Sequence, residues 1–223
     1  MPVSSVVSSL QGYAPDGAPW AALVFAHGAG AGQHHPFMAQ TAAALAAQGI
    51  AVTTFDFPYM AEGRRLPDRL PRLVTAFMET IEAVHRAHPA LPLFIGGKSL
   101  GGRVATHVAA DPPRARPTLS GVVAVGYPLH PPSARRPQDR TSHLRRLRAP
   151  LLVVQGTRDA FGGPDAIGAA LAGVGTSRRT VIPVTDADHS FHVRARFGQT
   201  QHASDAVWRQ AVVAWMRAEV VAR

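Results

Sequence analysis

The stretch over residues 93–109, LFIGGKSLGGRVATHVA, constrains this chain more than any other. Leu93, Phe94 and Ile95 make the short apolar run of a strand buried on both faces. The chain then turns through Gly97-Lys98-Ser99-Leu100-Gly101 and continues from Arg103 in residues that suit a helix. Strand, tight G-x-S-x-G turn and helix in direct succession is the setting that lifts a strained serine above the end of a sheet. Glycines at 97 and 101 fit that setting, because side chains there are expected to collide with the neighbouring strand and helix, and Gly102 extends the clearance. The pentapeptide alone is a weak signal. A solvated serine on a glycine-rich turn, or an anion-binding turn at a helix N-terminus, has the same letters. A phosphate-binding P-loop does not fit, since Lys98 precedes the serine and no G-x-x-x-x-G spacing leads into it.

The order of elements around this stretch narrows the fold. Residues 21–26 (AALVFA), 50–55 (IAVTTF), 121–125 (GVVAV), 151–154 (LLVV) and 180–184 read as further strands. Helices are predicted over 36–48, with Pro36 at the first turn and Gly49 as the stop, and over 70–88, with Leu73, Phe77, Ile81 and Val84 at helical spacing. A short helix is expected near 164–171. A closing helix over 204–222 is expected to bury Val207, Trp208, Ala211, Val212, Trp215 and Met216. Strands alternating with helices predict an α/β fold, a doubly wound and mostly parallel sheet with helices on both faces. Residues 21–223 read as one domain. Residues 1–20, rich in Ser, Gly and Pro, read as a poorly structured segment with at most an edge strand near residues 3–10. The Arg- and Pro-rich segment between Val125 and Leu151 is too short for a substantial cap over the sheet.

Composition removes several function classes. At 223 residues with 46% apolar content, the chain is long enough for a sizeable core. No apolar run reaches the ~18 residues of a membrane span, so no membrane partner is expected. The N-terminus lacks the basic and apolar regions of a secretory leader. There is no cysteine, which excludes disulfides, thiolate metal sites and a cysteine nucleophile, and makes the cytoplasm the expected compartment. The net charge of +9 and pI near 11.4 raise the question of nucleic acid. Lys98 is the only lysine, and the densest cluster (Arg135, Arg136, Arg140, Arg145, Arg146, Arg148) has no interleaved aromatic and no DNA- or RNA-binding motif around it. A solvated or anion-attracting surface fits better than a nucleic-acid partner.

The chemistry lies at strand ends. A serine hydroxyl is a weak nucleophile and needs a base within hydrogen-bond reach, and the base needs a carboxylate to orient it. Functional groups of open α/β sheets collect past the carboxyl ends of the strands. Three strands here lead to Ser99, Asp159 and His189, in the order Ser…Asp…His. His189 is the expected base, with His192 as its competitor. Asp159 is the expected orienting acid, although an Asx-turn in the loop GTRDAFGG would also use it. Asp165 ranks lower because it falls in or beside a helix. Asp186 and Asp188 read as loop stabilisers. The Leu100 amide and, from the loop His27-Gly28-Ala29-Gly30, the Ala29 amide are the expected oxyanion donors. An anion nest or a plain flexible loop is the alternative for that glycine-rich run. His27 is read as fixing the loop rather than as a second base, and His27, Gly28, Tyr59 and Lys98 are expected around the substrate. Phe57-Pro58-Tyr59 fits pocket lining and core packing equally. Arg103 fits either an anionic substrate or a carboxylate partner. His34-His35 lacks the further ligands of a metal site, so no metal is expected, and no cofactor.

Taken together and in this order, HGAGAGQHHPFM, FDFPYM, GGKSLGGR, GYPLHPP, QGTRDAFG and DADHSF resemble an α/β-hydrolase-fold subfamily grouped with dienelactone-hydrolase-like proteins. Its relatives include a testis-expressed vertebrate protein and a subunit of a histone acetyltransferase complex. The resemblance runs from about Leu23 to the end of the chain. It implies a serine-hydrolase site at Ser99, Asp159 and His189, acting on small esters or thioesters through an acyl-enzyme. The group also contains scaffolding proteins, which makes a non-catalytic interaction module the alternative. A dienelactone hydrolase carries cysteine where this chain has Ser99, so that substrate class is not implied.

Overall fold

The computed structural model describes residues 9–111, 117–130, 140–173, 178–195 and 200–222. Seven strands form one sheet in the order β1-β3-β2-β4-β5-β6-β7. They are β1 (Leu10–Tyr13), β2 (Ala21–Ala26), β3 (Ile50–Phe55), β4 (Leu93–Lys98), β5 (Leu119–Val125), β6 (Leu151–Gly156) and β7 (Arg179–Val184). All neighbouring pairs are parallel except β1 with β3, where Leu10 pairs with Phe55. The edge strand β1 is antiparallel and overlaps the expected residues 3–10 only at Leu10; residues 3–8 lie outside the described residues.

The central strands are largely apolar because both faces are covered. In β2, Ala22, Val24 and Ala26 face one core while Ala21, Leu23 and Phe25 face the other. In β6, Leu151 and Val153 alternate in the same way with Leu152 and Val154. The helices α3 (Leu70–Ala87), α4 (Leu100–Ala110) and α5 (Pro164–Leu171) close the first core, with Leu73, Phe77, Val104, Val108 and Ile167 inside it. The helices α1 (Pro36–Ala46) and α6 (Gln201–Val221) close the second, with Met38, Leu45, Trp208, Val212 and Met216. A four-residue helix α2 (Pro58–Ala61) follows β3. Among the described residues no large cap stands over the sheet; between β5 and β6 they include a 3-10 turn at Ser142–Arg146.

One expectation needs correction. Val207 is not buried but 63% exposed. The buried stripe of α6 runs through Ser204, Trp208, Val212, Trp215 and Glu219, and Val207 lies about one 100° step away from Trp208, outside it. Of the arginines after β5, Arg145, Arg146 and Arg148 are exposed, as a solvated surface requires. Arg146 is ion-paired with Asp111 at 2.6 Å and Arg140 faces a cavity, whereas Arg135 and Arg136 lie outside the described residues.

No helix among the described residues is long and apolar enough to cross a membrane.

Candidate active site

The turn between β4 and α4 holds Ser99 at φ 50° and ψ −111°. A non-glycine residue there carries strain of about 1–3 kcal/mol, which the surroundings must over-determine. They do so through backbone bonds. The Ser99 amide donates to Val125 O at 2.9 Å, and the Arg103 amide donates to Ser99 O at 3.0 Å. The flanking glycines are a matter of space: a Cβ on Gly97 or Gly101 would overlap the Ala26 carbonyl oxygen at the end of β2. The Gly101 Cβ would also stand 2.7 Å from His27 O. The helix can start against the sheet only because both positions are bare.

Two loops from the far half of the sheet reach the serine. His189, five residues past β7, places Nε2 2.9 Å from Ser99 Oγ and Nδ1 2.8 Å from Asp159 Oδ2. A carboxylate only accepts, so Nδ1 carries the proton and Nε2 is left to accept the serine hydroxyl. Asp159, three residues past β6, is buried. Its Oδ2 also accepts from Gln155 Nε2 at 2.9 Å, and its Oδ1 accepts from the Phe161 amide at 2.8 Å. The Asx-turn and the histidine contact are thus not alternatives: each carboxylate oxygen serves one. The Phe161 ring packs on the His189 imidazole with centroids 4.1 Å apart.

The loop bearing His189 is itself pinned. Asp188 Oδ1 accepts from the Ser190 and His192 amides at 2.8 and 3.0 Å. Asp186 is bound by Arg194 and, at 3.0 Å, by Arg158, and the Arg194 hydrogen bond brings its carboxyl down to about 2. Lys98 Nζ donates to His189 O at 2.6 Å, beneath the rings of Phe37 and Phe191. Burial pulls the Lys98 ammonium down to about 8, with Asp159 and Asp188 opposing the shift. His192, the competing base, is exposed.

A cavity of about 560 Å³ opens above Ser99, its lining including Gly28, Ala29, Leu100, Arg103, Arg140 and His189. Leu100 is the first residue of α4, so its amide has no acceptor within the helix. Of the other residues expected around a substrate, Gly28 and Lys98 line this cavity. His27 and Tyr59 do not. Both are wholly buried behind the loop and hold it from below. The Phe57 amide donates to His27 Nε2 at 3.0 Å, which leaves Nδ1–H to donate to Gly28 O at 2.7 Å. Burial keeps this imidazole below its usual pKa, against the Gly28 carbonyl and the Asp56 charge. The Tyr59 hydroxyl donates to Ala29 O at 3.0 Å, and burial pushes its pKa up to about 12, so it stays a donor. Phe57 and Tyr59 belong to the core, not to the cavity wall.

Sequence reasoning missed Gln155. It is the last side chain before Gly156 in β6 and is fully buried. Besides Asp159, its amide nitrogen donates to Gly162 O at 2.6 Å, while its oxygen accepts from the Tyr127 amide at 2.8 Å. A polar side chain ending the apolar run LLVVQ was the available signal. Arg140 in the cavity wall was also not foreseen.

The profile of a family described as Alpha/beta hydrolase domain matches residues 19–217. The chain belongs to this family. Solved structures agree on the α/β-hydrolase fold. An α/β serine hydrolase homologue from Coxiella burnetii superposes with a TM-score of 0.71 at 17% identity, over 92% of this chain and 89% of that one. A dienelactone hydrolase from Anabaena variabilis gives 0.71 at 23% identity, over 93% and 91%. A lidless α/β serine hydrolase from Xanthomonas campestris gives 0.65 at 21% identity, over 90% and 88%. Comparison with curated proteins gives no significant match. In this α/β-hydrolase domain the serine, histidine and carboxylate stand at the ends of β4, β7 and β6, at the carboxyl edge where such sheets carry their chemistry.

Proposed function

We propose that this chain is a serine hydrolase cleaving small carboxylic esters or thioesters through an acyl-enzyme. The observation that carries the reading is the unbroken hydrogen-bonded line from Ser99 Oγ through His189 to Asp159, at 2.9 and 2.8 Å, on the floor of an open cavity. Ser99 Oγ attacks the acyl carbon while its proton passes to His189 Nε2. Asp159 stabilises the imidazolium and holds its orientation. The Leu100 and Ala29 amides take the developing oxyanion. His189 then gives its proton to the departing alcohol or thiol, which leaves the acyl group on Ser99. A water molecule gives a proton to the same nitrogen and attacks the acyl-serine; the bond between Ser99 Oγ and the acyl carbon breaks, His189 returns the proton to Oγ, and the acid leaves.

A non-catalytic scaffold would have no need for a serine held in a strained conformation or for a carboxylate braced from three sides. That difference supports the enzyme reading within the subfamily suggested by the six motifs. The cysteine-free composition supports a cytoplasmic location. A fluorophosphonate probe tests the assignment. The native chain is expected to be labelled and Ser99→Ala to be blank, with esterase turnover reduced by ~10³ or more. Equal labelling of both would remove Ser99 from the mechanism.

A further inference from the structure

Two guanidinium groups in the cavity wall have no part in the chemistry above. Arg103 stands on the first turn of α4, just past the Leu100 amide. Arg140 lines the same cavity, its carbonyl held by the Tyr127 hydroxyl at 2.6 Å and one N–H given to Pro128 O at 3.3 Å. The Nε of each is buried and meets no acceptor. Among the described residues neither arginine is ion-paired, and no aspartate or glutamate lines the cavity. Elsewhere on the molecule arginines do find carboxylates: Arg64 pairs with Asp68, Arg72 with Glu62 and Arg146 with Asp111. Burial and the Arg103 charge push Arg140 below the ordinary guanidinium pKa. A guanidinium does not give up its proton at any working pH, so two of them facing one cavity carry an uncompensated desolvation and repulsion cost. An anion between them removes it.

We propose that Arg103 and Arg140 form an anion subsite, and that the ester cleaved at Ser99 carries a carboxylate or phosphate group at its far end. Arg103 lies four steps along the helix from Ser99, about 6 Å of rise, which a hemi-ester of a short dicarboxylic acid spans. Guanidinium forks recognise carboxylate and phosphate alike, and the neutral esters that fill an apolar cleft gain nothing from them. The subsite as a binding site stands on the two arginines alone; only the word substrate rests on the hydrolase reading.

Calorimetric titration of Ser99→Ala, which should bind without turnover, separates the two. The probes are monomethyl glutarate, its neutral counterpart methyl valerate, and inorganic phosphate. Monomethyl glutarate or phosphate is expected to bind at least tenfold more tightly than methyl valerate, and the tighter of the two anions names the preferred group. Adding Arg103→Gln or Arg140→Gln should weaken that anion at least tenfold, while Arg103→Lys and Arg140→Lys should retain part of the affinity and report on folding. Equal affinity for charged and neutral probes, or anion binding indifferent to both Gln changes, overturns the subsite. Anion binding without any ester turnover by the native chain would leave the subsite standing and remove the hydrolase.

Discussion

Lys98 stands directly before the strained serine, with its charge taken inside the protein. Burying an ammonium is costly, and the cost shows in a pKa drawn down to about 8. What it obtains is the His189 carbonyl at 2.6 Å, so the same cation braces the loop that delivers the imidazole. A charge-assisted hydrogen bond is about twice as strong as a neutral one. Deprotonation therefore forfeits about 1 kcal/mol of bracing, or ~5-fold in rate. The sign follows from the direction of the shift: the ammonium is intact below pH 8 and lost above it, so kcat should fall as pH rises through 8. Lys98→Met is expected to lower the plateau and abolish that alkaline limb. An unchanged limb in the variant would separate Lys98 from His189. For stability the same shift works the other way. Between pH 8 and 10.5 the unfolded chain still binds the proton that the folded chain has released, so this lysine's burden on the fold eases there. Single residues were unevenly legible in the sequence. Ser99, Asp159 and His189 stood out because each follows a strand end. Gln155, which braces Asp159, did not, because an amide at the end of an apolar run gives no spacing or motif that announces its partner.

At the scale of the element, β4, its turn and α4 work as one piece. The helix begins against the end of β2, close enough that Gly101 admits no Cβ beside Ala26 O. Gly101→Ala should therefore push α4 away from the sheet. It is expected to cost about 1–3 kcal/mol, read as a lower urea midpoint at unchanged m-value. It should lower esterase kcat as well, because Leu100 moves with the helix; full activity at reduced stability would show that the Leu100 amide is not an oxyanion donor. Strands and helices with strong periodicity were readable in the sequence. β2, β3 and α5 lie where the patterns over 21–26, 50–55 and 164–171 put them, since each is bounded by Gly, Pro or polar residues. α2 was not, because four residues are too few to show a helical period. Val207 has the hydrophobicity of a core residue, but its angle from Trp208 puts it outside the buried stripe of α6.

For the whole molecule, the sheet order brings together groups that lie far apart in the chain. His189 is 90 residues from Ser99 and 30 from Asp159. They meet because β4, β5, β6 and β7 are consecutive and parallel, with their carboxyl ends on one edge. The alternation of elements foretold that edge; the depth of the cavity and the entry of Arg140 into it depend on loop conformations that no residue pattern encodes. The account as a whole requires a covalent acyl-serine. Mixing the native protein with p-nitrophenyl acetate, quenching in acid within the first turnover and mapping the peptides by mass spectrometry tests this directly. One acetyl group per chain on the peptide holding Ser99, and none in Ser99→Ala, is the predicted result. Turnover without a modified Ser99, or acetyl found instead on Lys98, would contradict it.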